Sequence, residues 1–232
     1  MKEGKPEKES REKESKEERK AEWVPKTELG KAVKAGKINR IEEIFEKELK
    51  VMEPEIIDYL TSVKADFLAI GQSKGKFGGG KRRIWRQTQR KTAEGNVPSF
   101  ACLAVVGNEE GFVGLGYGKA KETLPAKEKA IRKAKMQMIK VNRGCGSFDC
   151  GCGEKHSIPF KVEGKVGSTK IVLIPAPKGT GLVIDDECKK IMKLAGIKDI
   201  YSKTYGQTRT KFNLAKACMK ALEKTTALVK SK

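Results

Sequence analysis

Hydrophobic positions are missing from the start of the chain: residues 1–20 hold eight basic and seven acidic side chains and no apolar one beyond Met1. Such a segment cannot bury enough apolar surface to offset the entropy of ordering, so 1–22 is expected to be a disordered charged arm. Residues 23–36 stay polar and rich in turn formers. A helical period then begins, with Ile41, Ile44, Phe45 and Leu49 on one stripe, and Pro54 opens a second piece carrying Ile56, Ile57 and Leu60. The spacing predicts a two-piece helix over 38–60, and 23–64 reads as a helical N-terminal extension.

Residues 65–70 are a short strand candidate. From 71 to 93 no apolar period exists, and glycines and cations dominate, so this stretch is expected to be a long projecting loop. Residues 99–106 and 112–117 are β-branched and aromatic runs joined by GNEEG, the pattern of a hairpin. Leu124, Ile131, Ala134, Met138 and Val141 recur at helical spacing, which predicts a helix over 120–140 with its cations in solvent. A cysteine-rich segment at 143–157 follows and separates two units. Beyond it, strands are expected at 158–162 and 170–174, a helix at 185–195 stopped by Gly196, a strand at 197–201, and a final amphipathic helix at 213–228. The chain therefore reads as two small α+β units, 65–142 and 158–232, with no internal repeat.

Charge sharpens this picture. Lys plus Arg number 50 against 30 Asp plus Glu, a net charge of +20 on 232 residues. Residues 71–95 hold eight basic side chains against one acidic, and 119–143 hold nine against two, so the field is concentrated in two segments. That concentration points to a polyanionic partner, nucleic acid first and an anionic membrane surface second. The longest apolar run, 100–106, is far too short to span a bilayer.

The sharpest candidate chemistry is Cys145, Cys150, Cys152 and His156, a C-x4-C-x-C-x3-H arrangement that contains the only histidine of the chain. Three thiolates and one imidazole close a zinc tetrahedron with no position left for a substrate water, so a bound Zn²⁺ would be structural. A disulfide, an iron site or three unrelated thiols are the alternatives. Cys102, Cys188 and Cys218 lie among apolar residues and read as core fillers. The G-x-G-x-G of Gly114, Gly116 and Gly118 before Lys119 departs from phosphate-loop spacing, and Ala120 stands where a magnesium-binding hydroxyl would be needed; a tight strand-to-helix turn gripping an RNA phosphate is expected instead. With the lone histidine committed to metal and no paired-carboxylate or nucleophile motif, an enzyme and a small-molecule substrate are not expected.

The basic stretch is the strongest functional element. Lys81, Arg82, Arg83, Arg86, Arg90 and Lys91 can neutralise phosphates, and Trp85 among them can stack on a base or anchor the segment. The bland alternative is a solvated charge run. RNA is favoured over DNA because no recognition helix with base-reading side chains is evident.

Several longer segments resemble a known family. GNEEGFVGLGYGK at 107–119 with Glu122, Lys129 and Ala130, then IPAPKGTGLV at 174–183, KTYGQTR at 203–209 and NLAKA at 213–217, are similar in order and content to the universal fifth ribosomal protein of the small subunit. WVPKT at 23–27, EEIFE at 42–46 and the cysteine segment resemble the archaeal form, and the likeness covers residues 21–228. It implies an N-terminal double-stranded-RNA-binding-like domain, a three-stranded sheet plus helix, and a C-terminal two-layer α/β sandwich with a left-handed crossover. It further implies a cytoplasmic protein that binds small-subunit rRNA, touches the fourth and eighth ribosomal proteins, lies near the channel through which messenger RNA enters, and supports assembly and translational accuracy. No membrane is implied. The family's main RNA probe matches QRKTAEG at 89–95, which carries Arg90, Thr92 and Gly95 over as contacts; Lys119 and Lys121 are added from the second basic segment. Two departures stand out: Asn96 and Val97 replace the usual arginine pair, and the stretch around 71–84 is additional, bringing Lys81, Arg82 and Arg83. A non-ribosomal binder of structured RNA with a structural zinc is the alternative function.

Overall fold

The computed structural model describes residues 23–73, 75 and 82–230. The expected arm at 1–22, and Lys81, lie outside these residues. Two compact units result, one ending at Ser62 and one running from Val63 onward. The first contains three short helices, α1 (Glu28–Lys34), α2 (Ile41–Glu46) and α3 (Pro54–Leu60). The sequence reading missed α1, whose seven residues are too few to display a period. It is set instead by its cap: the Thr27 hydroxyl accepts from the Gly30 amide at 3.1 Å. Glu53 then ties the segment down, accepting from the Lys26 and Thr27 amides and from the Trp23 indole N–H.

In the second unit, β1 (Lys64–Leu68) and β2 (Arg86–Thr92) lie along the same flank of β3 (Gly95–Gly107), β1 opposite residues 103–107 and β2 opposite 95–101. They are one strand line interrupted by the added segment, which leaves after Leu68 and rejoins at Arg86. Gly71 donates to the Arg83 carbonyl at 2.8 Å and Arg83 to the Gln72 carbonyl at 3.1 Å, closing the neck of the excursion. The expected loop over 71–93 is therefore corrected from Arg86 onward. Arg86 to Lys91 are exposed, so the strand has no apolar alternation to betray it and is held by ladder bonds to β3.

Strand β4 (Phe112–Ala120) completes the predicted hairpin, turning through Glu109 and Gly111, both at positive φ. Helix α4 (Thr123–Met136) packs across the sheet. It stops short of the expected Lys140, because residues 138–140 form the edge strand β5 and pair with Phe112 to Gly114. Met138 and Val141 are buried, as the helical reading required, but through strand geometry. The sheet thus has β1, β3, β4 and β5 in order, with β2 also on β3.

The G-x-G-x-G motif is not a turn. Gly114, Gly116 and Gly118 sit inside β4 facing α4, where a Cβ would lie 2.1, 2.2 and 2.2 Å from the carbonyl oxygens of Ala134, Ala130 and Ala126. A period of two on the strand meets a period of four on the helix, and only hydrogen fits between the backbones.

The second sheet has the order β6 (Val162–Val166), β7 (Thr169–Pro175), β9 (Ile200–Tyr205), β8 (Leu182–Val183). β8 pairs parallel with β9 through the crossover helix α5 (Asp186–Leu194), and α6 (Lys211–Lys230) covers β6 and β7. The first strand begins at Val162, four residues later than the start expected at 158, because Ile158 is fully buried in the connector rather than in a ladder; β9 likewise begins at Ile200, after the Gly196 turn at φ 76°. The architecture is the α+β pair of sheet-and-helix layers expected from the sequence. One buried cluster runs through both layers, joining Leu103, Val105 and Leu115 to Ile171, Leu173, Ile191 and Leu222, while a smaller one fills the space under α4. Cys102, Cys188 and Cys218 are all fully buried, as core fillers should be.

If the β4–α4 contact is limited by backbone approach, Gly116→Ala lowers unfolding free energy by about 2–3 kcal/mol, a large overpacking cost. A urea midpoint within error of wild type contradicts it.

Candidate metal centre and nucleic-acid interface

The connector between β5 and β6 is closed at its base by an antiparallel bridge, with Gly144 and Ser157 exchanging two amide–carbonyl bonds of 2.9 Å. The four candidate ligands sit on the loop above it. Gly146 is required there, since a Cβ would lie 2.1 Å from the Pro159 carbonyl oxygen, and Gly153 turns the chain at φ 66°. The donor atoms of Cys145, Cys150, Cys152 and His156 all lie within 4.8 Å of one another. Cys150 Sγ is 3.3 Å from Cys152 Sγ and 3.7 Å from His156 Nε2. Thiolates around a tetrahedral ion at about 2.3 Å stand about 3.8 Å apart, so the cluster is at ligand spacing and can hold a metal ion.

His156 is 3% exposed and its orientation is determined from behind. Nδ1 lies 2.9 Å from Asp199 Oδ2, and with Nε2 turned to the thiols, Nδ1 carries the proton and donates it to the carboxylate. Asp199 Oδ1 in turn accepts from the amides of Gly179 and Gly181 at 3.1 and 2.8 Å. The His156 carbonyl accepts from Lys198 and Asp199 at 2.8 and 3.1 Å. This carboxylate–imidazole pair is the usual support of a metal-binding histidine. Backbone N–H groups of Lys178 and Cys152 lower the Cys150 thiol to about 6, so it is largely thiolate at neutral pH, whereas burial and its neighbouring thiols raise Cys145. All four donors come from protein.

Asp199, Gly179 and Gly181 were not singled out by sequence as part of this site. Asp199 lies 43 residues from His156, and no local spacing signals the pairing. The one available hint was chemical: a single buried imidazole needs a partner for its second nitrogen.

The basic residues divide by the alternation of β2. Arg86 and Arg90 pair with Ala101 and Val97, on the face turned away from α4, whereas Lys91 occupies the opposite parity. The β2–β3 turn extends beyond the core, closed by Thr92 Oγ1 donating to the Gly95 carbonyl at 2.8 Å with Gly95 at φ 118°. Lys119 stands in the same cross-strand row as Ala101 and Arg86, two strands away, or about 10 Å. Lys121 is exposed where β4 gives way to α4. Arg83 is exposed in the neck of the added segment, and Arg82 is half-buried where it bridges Ser73. Trp85 serves as an anchor: it packs on the cluster under α4, with Lys127 Nζ 4.8 Å above its ring.

Residues 84–142 match the N-terminal domain of ribosomal protein S5, and residues 164–230 match its C-terminal domain. The chain is 49% identical over 204 residues to the small ribosomal subunit protein uS5 of Nanoarchaeum equitans, covering 88% of this chain and 87% of that one. It is 49% identical over 205 residues to the uS5 of Thermofilum pendens, covering 88% and 94%, and 48% identical over 204 residues to that of Staphylothermus marinus, covering 88% of each. With both domains matched in order and relatives near half identity over almost nine-tenths of its length, the chain belongs to the ribosomal protein S5 family.

Proposed function

We propose that this protein is a structural, non-catalytic constituent of the small ribosomal subunit in the cytoplasm, binding small-subunit rRNA and neighbouring ribosomal proteins. The observation that carries the reading is the β2–β3 hairpin, which projects Arg86, Arg90 and Lys91, all exposed and without an acidic partner among the described residues. Arg82, Arg83, Arg86, Arg90, Lys91, Thr92, Gly95, Lys119 and Lys121 are the contacts, with phosphates as their targets. The domain scheme is an arm at 1–22, a helical extension at 23–64, an RNA-binding unit at 65–142, a metal connector at 143–157 and a sandwich at 158–232. The fourth and eighth ribosomal proteins are its protein neighbours. Its position is near the channel through which messenger RNA enters, where it supports assembly and accuracy. No helix among the described residues is long and apolar enough to cross a membrane.

The ion is Zn²⁺ and its role is structural. Cys145, Cys150 and Cys152 supply soft thiolates, His156 supplies Nε2, and the ion would hold the connector closed.

Protein recovered from salt-washed small subunits is expected to contain one equivalent of zinc by elemental analysis, and Cys150→Ser to contain none at matched occupancy. Asp199→Asn keeps the ligands but weakens zinc binding by about 10–100-fold, as loss of an imidazole's carboxylate support does. Zinc-free wild-type protein on subunits overturns the metal assignment, and absence of the protein from subunits overturns the ribosomal one. Replacing Arg86, Arg90 and Lys91 together by Gln should flatten the log–log salt dependence of rRNA binding by about 2–3 units. An unchanged slope contradicts the hairpin assignment.

A further inference from the structure

A cleft of about 980 Å³ opens between the neck of the added segment, the sheet face turned away from α4, and the start of α6. Its volume lies in the range of about 300–1,000 Å³ typical of ligand sites. The composition of its wall is one-sided. Arg82, Arg83, Arg86, Arg209 and Lys211 line it, and among the described residues no carboxylate does. Lys211 is committed to Asp185, but among the described residues Arg82, Arg83, Arg86 and Arg209 have no acidic partner. Four guanidinium groups held around one concave surface without a counter-charge repel one another, and each offers a planar fork suited to phosphate.

Part of the remaining wall is aromatic, supplied by Trp85, Tyr117 and Phe212. Tyr117 and Phe212 meet edge to face at 5.3 Å, and Lys216 Nζ stands 4.4 Å over the Phe212 ring. The Tyr117 hydroxyl finds no hydrogen-bond partner among the described residues. Unpaired arginines beside a half-exposed aromatic with a free hydroxyl match the chemistry of a nucleotide rather than that of a simple anion.

Shape separates the cleft from the hairpin turn at Arg90 to Gly95, with Arg86 at the border between them. A duplex is a convex rod that a projecting strand-turn-strand can follow, but it cannot enter a concave cleft. An unpaired strand with a base turned out can do so. We propose that the cleft holds an unpaired RNA segment, with Arg83, Arg86 and Arg209 on its phosphates and an unstacked base against Tyr117. This deepens the rRNA-binding reading and rests on it. Arg83 in the neck of the added segment thereby supplies one side of a second RNA site, and Arg209 in the β9–α6 turn supplies another.

The test uses the full chain and a dye-labelled oligouridylate of about eight nucleotides, a length within single-strand site sizes, read by anisotropy across a salt series. Arg209→Gln is expected to weaken binding about tenfold and to flatten the log–log slope by about 0.7, the value for one phosphate of a single strand. Tyr117→Leu is expected to weaken binding about tenfold with the slope unchanged, the signature of lost stacking. Lys165→Gln, which removes the same charge from an exposed site on β6, should change neither quantity. Arg83 is exposed, so Arg83→Gln repeats the charge test without risk to folding.

The proposal is overturned if Arg209→Gln and Arg83→Gln both bind the oligomer as wild type does. It is also overturned if uridine monophosphate competes as well as the oligomer, since the cleft would then be a small-anion pocket. Incorporation into subunits is measured separately: variants that enter subunits normally yet show no oligomer defect sink the cleft alone, whereas wild type that fails to enter sinks the ribosomal reading.

Discussion

The centre of the first sheet must be buried on both faces, and the rest of the second unit follows from that constraint. On one face β4 gives up its side chains at Gly114, Gly116 and Gly118 so that α4 lies backbone against backbone. On the other, Leu103, Val105 and Leu115 continue into the core of the second sheet. A strand covered on both sides reads as an unbroken apolar run, which is what residues 100–106 are. The same device recurs in the second sheet, where a Cβ on Gly164 of β6 would lie 2.1 Å from the Ala217 carbonyl of α6. With both faces of its centre occupied, the sheet is open to a large partner, among the described residues, where its strands outrun the core. Those places are the β2–β3 hairpin and the neck of the added segment.

The connector stands in contrast. Between Gly144 and His156 the one large apolar side chain is Phe148, and it is fully exposed. Burial therefore contributes almost nothing to ordering this loop. What orders it is polar: the Gly144–Ser157 bridge, the buried His156–Asp199 pair, and the four donor atoms gathered at ligand spacing. A metal ion held there would provide in one small volume the cohesion that a core provides elsewhere. Because Asp199 also receives the Gly179 and Gly181 amides, the same centre fixes the loop preceding β8.

Much of this was legible in the sequence, and the failures have specific physical causes. The β3–β4 hairpin, α5 and α6 declared themselves through strong periods and clear stops. That Cys145, Cys150, Cys152 and His156 gather in one place was readable, because thiols and imidazole have few other reasons to cluster among glycines. Strand β2 was hidden because both of its faces are wet, leaving no alternation to detect. Helix α1 was too short to show a period, and β5 was absorbed into α4 because Met138 and Val141 satisfy helical spacing by coincidence. The glycine motif was placed at a turn because glycine's freedom was weighed there, while its small size was what mattered. Asp199 could not have been placed beside the thiols, nor Arg209 beside Arg83, since only the fold brings them together.

A closed centre with three sulfurs and one nitrogen is what the connector's structural role requires. X-ray absorption at the zinc edge, on full-length protein taken from small subunits, measures that directly. The expected result is a first shell of three sulfurs at about 2.3 Å and one nitrogen at about 2.0 Å. A shell with fewer sulfurs, or with a water oxygen in place of His156, would show an open or incomplete site and contradict the structural role given to the connector.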